Sequence, residues 1–176
     1  MSERQIERRD AEALFVSELE AVYDMEVKLV DALEEMAEAT TNDNLSTGFA
    51  VHRTETERQV ENVEAAFEAL GREPTRRDNP TVDGLLAERE RVTADVADDR
   101  LLNLYHLNAA IKTERLEITG YEGLLALASA AGLAADVTDP LERNLAQEEK
   151  TLRKLEGLAG EGPLESFWKR LTGGSG

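Results

Sequence analysis

A carboxylate in the middle of an apolar helix face is the feature that most limits how this chain can fold. Between Tyr105 and Leu127, apolar residues recur at three- and four-residue steps, the period of one buried face of a helix. Glu114 lies inside that series. An unpaired carboxylate in an apolar interior costs several kcal/mol. Glu114 must therefore be neutral, paired or bound to a cation, and other helices must supply its partners.

Three further long segments show the same amphipathic period, each with a Glu in its apolar stripe. They are predicted as helices over residues 9–39, 44–70 and 134–159. The inward carboxylates of these helices, in chain order, are Glu26, Glu55 and Glu148. Each of the four long helices thus carries one Glu near its middle.

Capping residues predict where these helices begin and end. One of residues 41–43 can cap the second helix, and Asp98 or Asp99 can cap the third, which continues to Ala131. Pro140 marks either a weak point in the last helix or its true first turn.

Residues 72–97 form the longest interruption of the pattern and contain a short amphipathic helix at Val82–Thr93. A connection of about 25 residues can travel the length of a helical bundle and return. The predicted fold is therefore all-α, an antiparallel four-helix bundle with this crossover between its second and third long helices. Residues 1–160 are predicted to form the bundle, and residues 161–176 a short amphipathic tail with a flexible C-terminus. Phe167–Trp168 in this tail would cap the bundle end, with binding of a partner protein as the alternative.

Composition narrows the functional classes. The formal net charge is −17, from 37 acidic and 20 basic residues, so nucleic acid and anionic lipid are disfavoured as partners. Cysteine is absent, and no apolar run is long enough to span a membrane, which predicts a cytoplasmic protein. Fifteen Arg against five Lys, with the acidic excess, fit a halophilic source; an ordinary acidic cytosolic protein is the alternative.

The middles of antiparallel helices lie at one level, so the four inward carboxylates can converge. Four ionised Glu carry a charge that two divalent cations balance, and oxygen ligands suit Fe or Mn. The sequence therefore predicts a dinuclear Fe or Mn site formed by Glu26, Glu55, Glu114 and Glu148. Pairing with nearby Arg or Lys side chains is the alternative, and Glu55 can also lie at the edge of its stripe.

Further side chains lie at ligand spacing. His52 precedes Glu55 by three residues and can bind a metal, orient a carboxylate or be an ordinary core histidine. Glu117 and Gln59 each lie about one turn beyond an inward Glu and are candidate auxiliary oxygen ligands. The Glu-x-x-His motif of many carboxylate bundles is absent from the second and fourth helices. His106 has no partner at ligand spacing and is predicted to lie on the surface or in packing.

At these residues the chain resembles the YciE/YciF-type family of ferritin-like stress proteins. The strongest shared motifs are YDMEVKL in the first helix and His-x-x-Glu-Thr in the second, and the resemblance covers about residues 13–159. Where relatives often have a His after the second-helix Glu, this chain has residues 57–59, Glu-Arg-Gln. Where they often have an Asp one turn after the fourth-helix Glu, it has Leu152.

The resemblance implies a ferritin-like bundle with a dinuclear metal centre, often as a dimer, and a role in stress protection with ferroxidase or peroxide-detoxifying activity. By analogy with carboxylate-bundle sites, Glu26 and Glu148 are terminal ligands, and Glu55 and Glu114 are bridges. The rival is a non-catalytic bundle that keeps the fold for oligomerisation or partner binding. Storage of mineral iron is a third, weaker reading, because nothing in the chain specifies a hollow cage.

Overall fold

The computed structural model describes residues 3–161, which form five helices without a strand among them. The helices are α1 (Glu3–Ala39), α2 (Asp43–Ala69), α3 (Pro80–Asp95), α4 (Asp99–Ala131) and α5 (Ala135–Glu161). The all-helical prediction is confirmed for this part of the chain. The predicted tail, with its Phe167–Trp168 pair, lies outside the described residues.

Side-chain caps set the starts of three helices. Asn42 accepts hydrogen bonds from the backbone N–H groups of the first turn of α2, Asn79 does the same for α3, and Asp98 for α4. Gly132 ends α4 in a left-handed conformation with φ of 69°, which a glycine adopts without steric cost. The predicted caps of α2 and α4 are thus confirmed.

The start of α1 differs most from its prediction, and the predicted ends of α2, α3 and α5 differ from the structure by one or two residues. Helix α1 begins at Glu3, before the predicted start at Arg9, because exposed Glu, Gln and Arg residues favour helix without contributing an apolar stripe. Pro140 lies inside α5, so the alternative that it marks the first turn is wrong. It lacks one N–H donor, yet helix α5 continues through it.

The four long helices surround a common interior. Helix α1 packs against α2 and α4, α5 packs against the same two helices, and α3 packs against α4. Short connections at residues 40–42 and 132–134 join α1 to α2 and α4 to α5, as expected for antiparallel neighbours. None of the helices within residues 3–161 combines the length and apolar character that crossing a membrane requires.

Two apolar clusters fill the interior. The larger cluster includes Phe15, Leu19, Met25, Phe67, Tyr121, Leu124 and Leu141. The smaller one is formed by Leu33, Met36, Phe49 and Ala110. On α2, α4 and α5 a set of buried polar residues lies, along the sequence, between members of these two clusters. The apolar core is thus interrupted at one level.

The connection from α2 to α3 is fastened to α1 by the buried carboxylate of Asp24. This group accepts hydrogen bonds from Arg76 Nε at 2.9 Å and from the backbone N–H of Asn79 at 3.1 Å. Lys28 Nζ lies 2.6 Å away. Burial acts to raise the pKa of Asp24, but these donors outweigh it and hold the pKa below its ordinary value of 3.8. The Asp24 carboxylate therefore fastens two points of the crossover, Arg76 and Asn79, to α1.

We predict that Asp24→Asn lowers the free energy of unfolding by about 2 kcal/mol, because charged donors lose a buried carboxylate acceptor. Urea denaturation near neutral pH measures the change. Asp31→Asn, at an exposed position of the same helix, is the matched control and changes stability by less than about 0.5 kcal/mol. Equal effects of the two substitutions would contradict the conclusion that the Asp24 carboxylate fastens the crossover to α1.

Candidate metal centre

Four carboxylates meet in the interior at the level where the apolar core is interrupted. Glu26 comes from α1, Glu114 and Glu117 from α4, and Glu148 from α5, and none is more than 1% exposed. Three of these helices therefore supply acidic side chains to a volume from which water is excluded.

Helix α2 supplies His52 and Gln59 to the same volume. Its buried stripe reads His52, Thr56, Gln59 and Val63, at steps of three and four residues. Glu55 precedes Thr56 and so points about 100° away from the stripe, because each helical residue turns by that angle. The Glu55 side chain is 20% exposed, and one of its oxygens lies 3.8 Å from His52 Nδ1. The structure thus places Glu55 at the edge of the cluster, the alternative that its sequence position left open.

The cluster has the spacing of a metal-binding group. His52, Glu114, Glu117 and Glu148 each offer one ligand atom, and these atoms all lie within 4.8 Å of one another. His52 Nε2 lies 2.8 Å from a Glu114 carboxylate oxygen. Glu26 interacts electrostatically with Glu114, Glu117 and Glu148, which places it beside the group.

Neutral side chains orient the carboxylates. The Tyr121 hydroxyl donates to Glu26, and Gln59 Nε2 donates to Glu148. Asn144 Nδ2 lies 2.9 Å from the Tyr121 hydroxyl and 3.0 Å from the Gln59 backbone oxygen. Tyr121 of α4 thus holds Glu26 of α1, and Gln59 of α2 holds Glu148 of α5. Hydrogen bonds of this kind fix the orientation of metal ligands.

Many oxygens of the cluster have no hydrogen-bond donor. Among the described residues, the oxygens without a donor are one each of Glu26, Glu114, Glu148 and Gln59, and both carboxylate oxygens of Glu117. Buried acceptors without donors are rare in folded proteins and need an explanation. A set of oxygen atoms with one imidazole suits Fe²⁺ or Mn²⁺. The residues present therefore fit the divalent metals that the sequence predicted.

Burial shifts the protonation of these groups. It raises the pKa of Glu26 from 4.5 to about 7, although the hydrogen bond from Tyr121 acts in the opposite direction. Burial and the neighbouring carboxylates raise the pKa values of Glu117 and Glu148 well above the ordinary value. For His52, burial acts to lower the pKa, but its contacts with Glu114 and Glu55 raise it to about 10. Without a cation, the cluster retains protons.

Of the predicted residues, the structure brings together Glu26, Glu114, Glu117, Glu148, Gln59 and His52, and leaves Glu55 at the edge. The sequence analysis missed the positioning side chain Asn144. Its position four residues before Glu148 was an available signal, because it shares a helix face with that Glu. His106 is fully buried, so of the two predicted placements packing is confirmed and the surface is excluded.

Comparison with known proteins assigns the family. Residues 10–166 match the model of a family described as a domain of unknown function, DUF892. The chain belongs to this family. It is 30% identical over 149 residues to protein YciF of Escherichia coli K12, an alignment that covers 84% of this chain and 89% of that protein. The family resemblance expected from the sequence is thereby confirmed.

Two solved structures are similar throughout. The crystal structure of the E. coli stress protein YciF matches with a TM-score of 0.79 and 30% identity, covering 85% of this chain and 94% of YciF. YcfI of Rhodopseudomonas palustris, described as a proposed structural protein, matches with a TM-score of 0.80 and 32% identity, covering 83% and 92%. The helical fold of this chain is thus that of the stress protein.

We predict that the metal-free protein becomes less stable as the pH rises from 4.5 to about 7, the window set by the raised pKa of Glu26. A carboxyl group whose folded pKa is raised stabilises the fold fully below its unfolded pKa, and this stabilisation is lost as the pH rises through the folded value. For Glu26 the window runs from 4.5 to about 7. His52 acts in the same direction, because its pKa is also raised. Thermal melting in the presence of a chelator measures the fall.

Glu117→Gln reduces this fall, because it removes one of the buried groups that keep a proton in the folded protein and lose it on unfolding. Glu122→Gln, at an exposed position of the same helix, leaves the fall unchanged. A melting temperature that is independent of pH in this range would contradict the burial of the carboxylates.

Proposed function

We propose that this protein is a ferritin-like four-helix bundle, spanning residues 1–160, that binds two Fe or Mn ions between its helices. The observation that carries the proposal is the set of buried carboxylates with unpartnered oxygens. The four buried carboxylates of Glu26, Glu114, Glu117 and Glu148 carry four negative charges when ionised, which two divalent cations balance, and the partly exposed Glu55 would add a fifth negative charge. Metal ions would replace the retained protons and compensate the negative charge of the buried carboxylates.

The residues divide between two positions. His52, Glu114, Glu117 and Glu148 would hold one ion, since their ligand atoms already lie together. Glu26 and Glu55 flank this group and are the candidate ligands of the second ion, with Gln59 as an auxiliary oxygen ligand. Tyr121 and Asn144 hold Glu26 and Gln59 in place by hydrogen bonds from α4 and α5.

Two Fe²⁺ ions held by these residues would supply the two electrons that, with two protons, reduce hydrogen peroxide to two water molecules. The protein contributes a dry interior and preset carboxylate positions. The related ferroxidase activity would transfer the same two electrons, with two protons, to dioxygen and give two Fe³⁺ and one hydrogen peroxide. We assign the protein to stress protection, with support from its similarity to the stress protein YciF. The family resemblance in the sequence suggests a homodimer, and the absence of cysteine and of long apolar runs in the sequence suggests a cytoplasmic location. Its net charge of −17 supports a halophilic source.

A non-catalytic bundle is the second candidate, and the description of the similar YcfI as a proposed structural protein favours it. In that case the buried carboxylates only destabilise the protein, and Glu26→Leu or Glu114→Leu stabilises it. If these substitutions instead remove only the stabilisation by added metal, the second candidate fails.

We predict that protein purified without chelator contains about two metal ions per chain, and that added Fe²⁺ or Mn²⁺ raises its melting temperature. At a free metal concentration 100 times the dissociation constant, each bound ion contributes about 2.7 kcal/mol of stabilisation. Elemental analysis and thermal melting measure both quantities. Glu114→Gln abolishes them, and the exposed Glu122→Gln does not. Metal-free wild-type protein with no melting shift would exclude the site.

The position of Glu55 generates a separate prediction. Because its side chain is partly exposed at the edge of the cluster, Glu55→Gln weakens metal binding less than Glu148→Gln does. Titration with Co²⁺ or Mn²⁺ in the absence of oxygen compares the two affinities. Equal losses would assign Glu55 the full ligand role that the sequence pattern suggested.

A further inference from the structure

A narrow cavity between α1, α3 and α4 leads towards the carboxylate cluster. Its volume is about 30 Å³. Its walls are mainly apolar, and among them are Leu29, Leu33, Met36, Leu86, Ala109 and Ala110. We call this cavity the passage. It lies beneath α3, the short helix that the crossover places over the groove between α1 and α4.

The inner end of the passage is the metal centre itself. His52, Glu114 and Glu117 line it. Both carboxylate oxygens of Glu117 lack a hydrogen-bond partner, although the side chain is fully buried. The apolar walls therefore end on acceptors that a bound cation would satisfy.

The outer end is polar and reaches the surface. Glu88 and Lys112 line the passage, and their side chains are 40% and 45% exposed. Lys112 Nζ lies 3.3 Å from a Glu88 oxygen, so this ion pair joins α3 to α4 at the mouth. Arg89 lines the same end and pairs with Glu35 of α1. Helix α3 is thus fastened on both sides of the opening.

Size and polarity select what can travel along this route. A water molecule needs about 10–15 Å³ of such volume, so the passage holds about two molecules of that size. A divalent cation would lose hydration between the apolar walls, and the Glu88 carboxylate at the mouth is already paired with Lys112. Hydrogen peroxide would lose its hydrogen bonds with water. Dioxygen is small, apolar and uncharged, and it meets none of these barriers.

We propose that the passage is the route by which dioxygen reaches the carboxylate cluster, with α3 as its outer wall. The functional meaning of this route rests on the proposed metal centre, but the route can be tested in metal-free protein. In this proposal metal ions enter elsewhere. The apolar wall residues of the passage, as distinct from His52, Glu114 and Glu117 at its inner end, therefore control access of dioxygen and leave metal affinity unchanged.

Dissolved dioxygen is paramagnetic and accelerates the relaxation of nearby methyl protons, which provides a test without metal. In chelated protein labelled at the methionine methyl groups, Met36 lines the passage, and Met25 lines a separate cavity of about 380 Å³. We expect substitutions in the passage to change the dioxygen effect on Met36 and to leave the effect on Met25 unchanged. Ala109→Leu lowers the Met36 effect by about threefold or more, because its added carbons fill a space for about two small molecules.

Two further variants make the test decisive. Leu85→Ala, on the α3 wall of the passage, raises the Met36 effect and does not depend on tolerance of a larger side chain. Ala126→Leu, at an exposed position of α4, leaves it unchanged. An equal Met36 effect in wild type, Ala109→Leu and Leu85→Ala overturns the proposal.

A second arm separates this proposal from the metal centre. Oxygen-free binding of Fe²⁺ is unchanged in Ala109→Leu, whereas oxidation of the bound Fe²⁺ by dioxygen slows by about the same factor as the Met36 effect. If wild type binds no Fe²⁺ but the Met36 effects hold, the metal centre fails and the route stands. Slower Fe²⁺ binding in Ala109→Leu would make the passage a metal route and overturn its assignment to dioxygen.

Discussion

Burial of several carboxylates at one level of a helical interior is the constraint on which the rest of this structure depends. Each buried charge costs several kcal/mol unless it is compensated, and the whole fold of a domain is worth only about 5–15 kcal/mol. The two apolar clusters above and below this level supply the packing that makes such a centre tolerable. Tyr121, Asn144 and Gln59 provide hydrogen bonds across helix boundaries at the same level. A layer of hydrogen-bonded polar side chains therefore lies between two layers of apolar packing.

The crossover contributes more than a connection between two halves. Asp24 fastens the segment just before α3 to α1, and ion pairs to α1 and α4 hold α3 over the groove between them. The position of that short helix decides whether the carboxylate cluster is covered at this groove. A change in the crossover would therefore alter access to the centre without touching any of its carboxylates.

Helical periodicity was sufficient to predict the all-helical fold, most helix ends and the inward positions of Glu26, Glu114 and Glu148, because these side chains lie within long apolar stripes. It could not decide between Glu55 and its neighbours. At 100° per residue, a one-position difference moves a side chain from the interior to its edge, and the rotation of α2 depends on packing. The contacts of Tyr121 and Asn144 join residues from different helices, and so does the lining of the passage. The sequence of one helix does not determine how that helix is placed against the others.

The contacts that hold the crossover against α1 also affect how readily a protease cleaves the folded chain. Residues 76–77, Arg-Arg, form an obvious trypsin site in the longest connection between helices, where cleavage would ordinarily begin. Yet the Arg77 backbone N–H donates to the Glu20 carbonyl, its guanidinium reaches the Ser17 carbonyl, and Arg76 is paired with Asp24. A protease needs several residues of free backbone, so cleavage here must wait for local opening of these contacts. The connection that seems most vulnerable in the sequence is thereby protected from digestion for as long as α1 holds it.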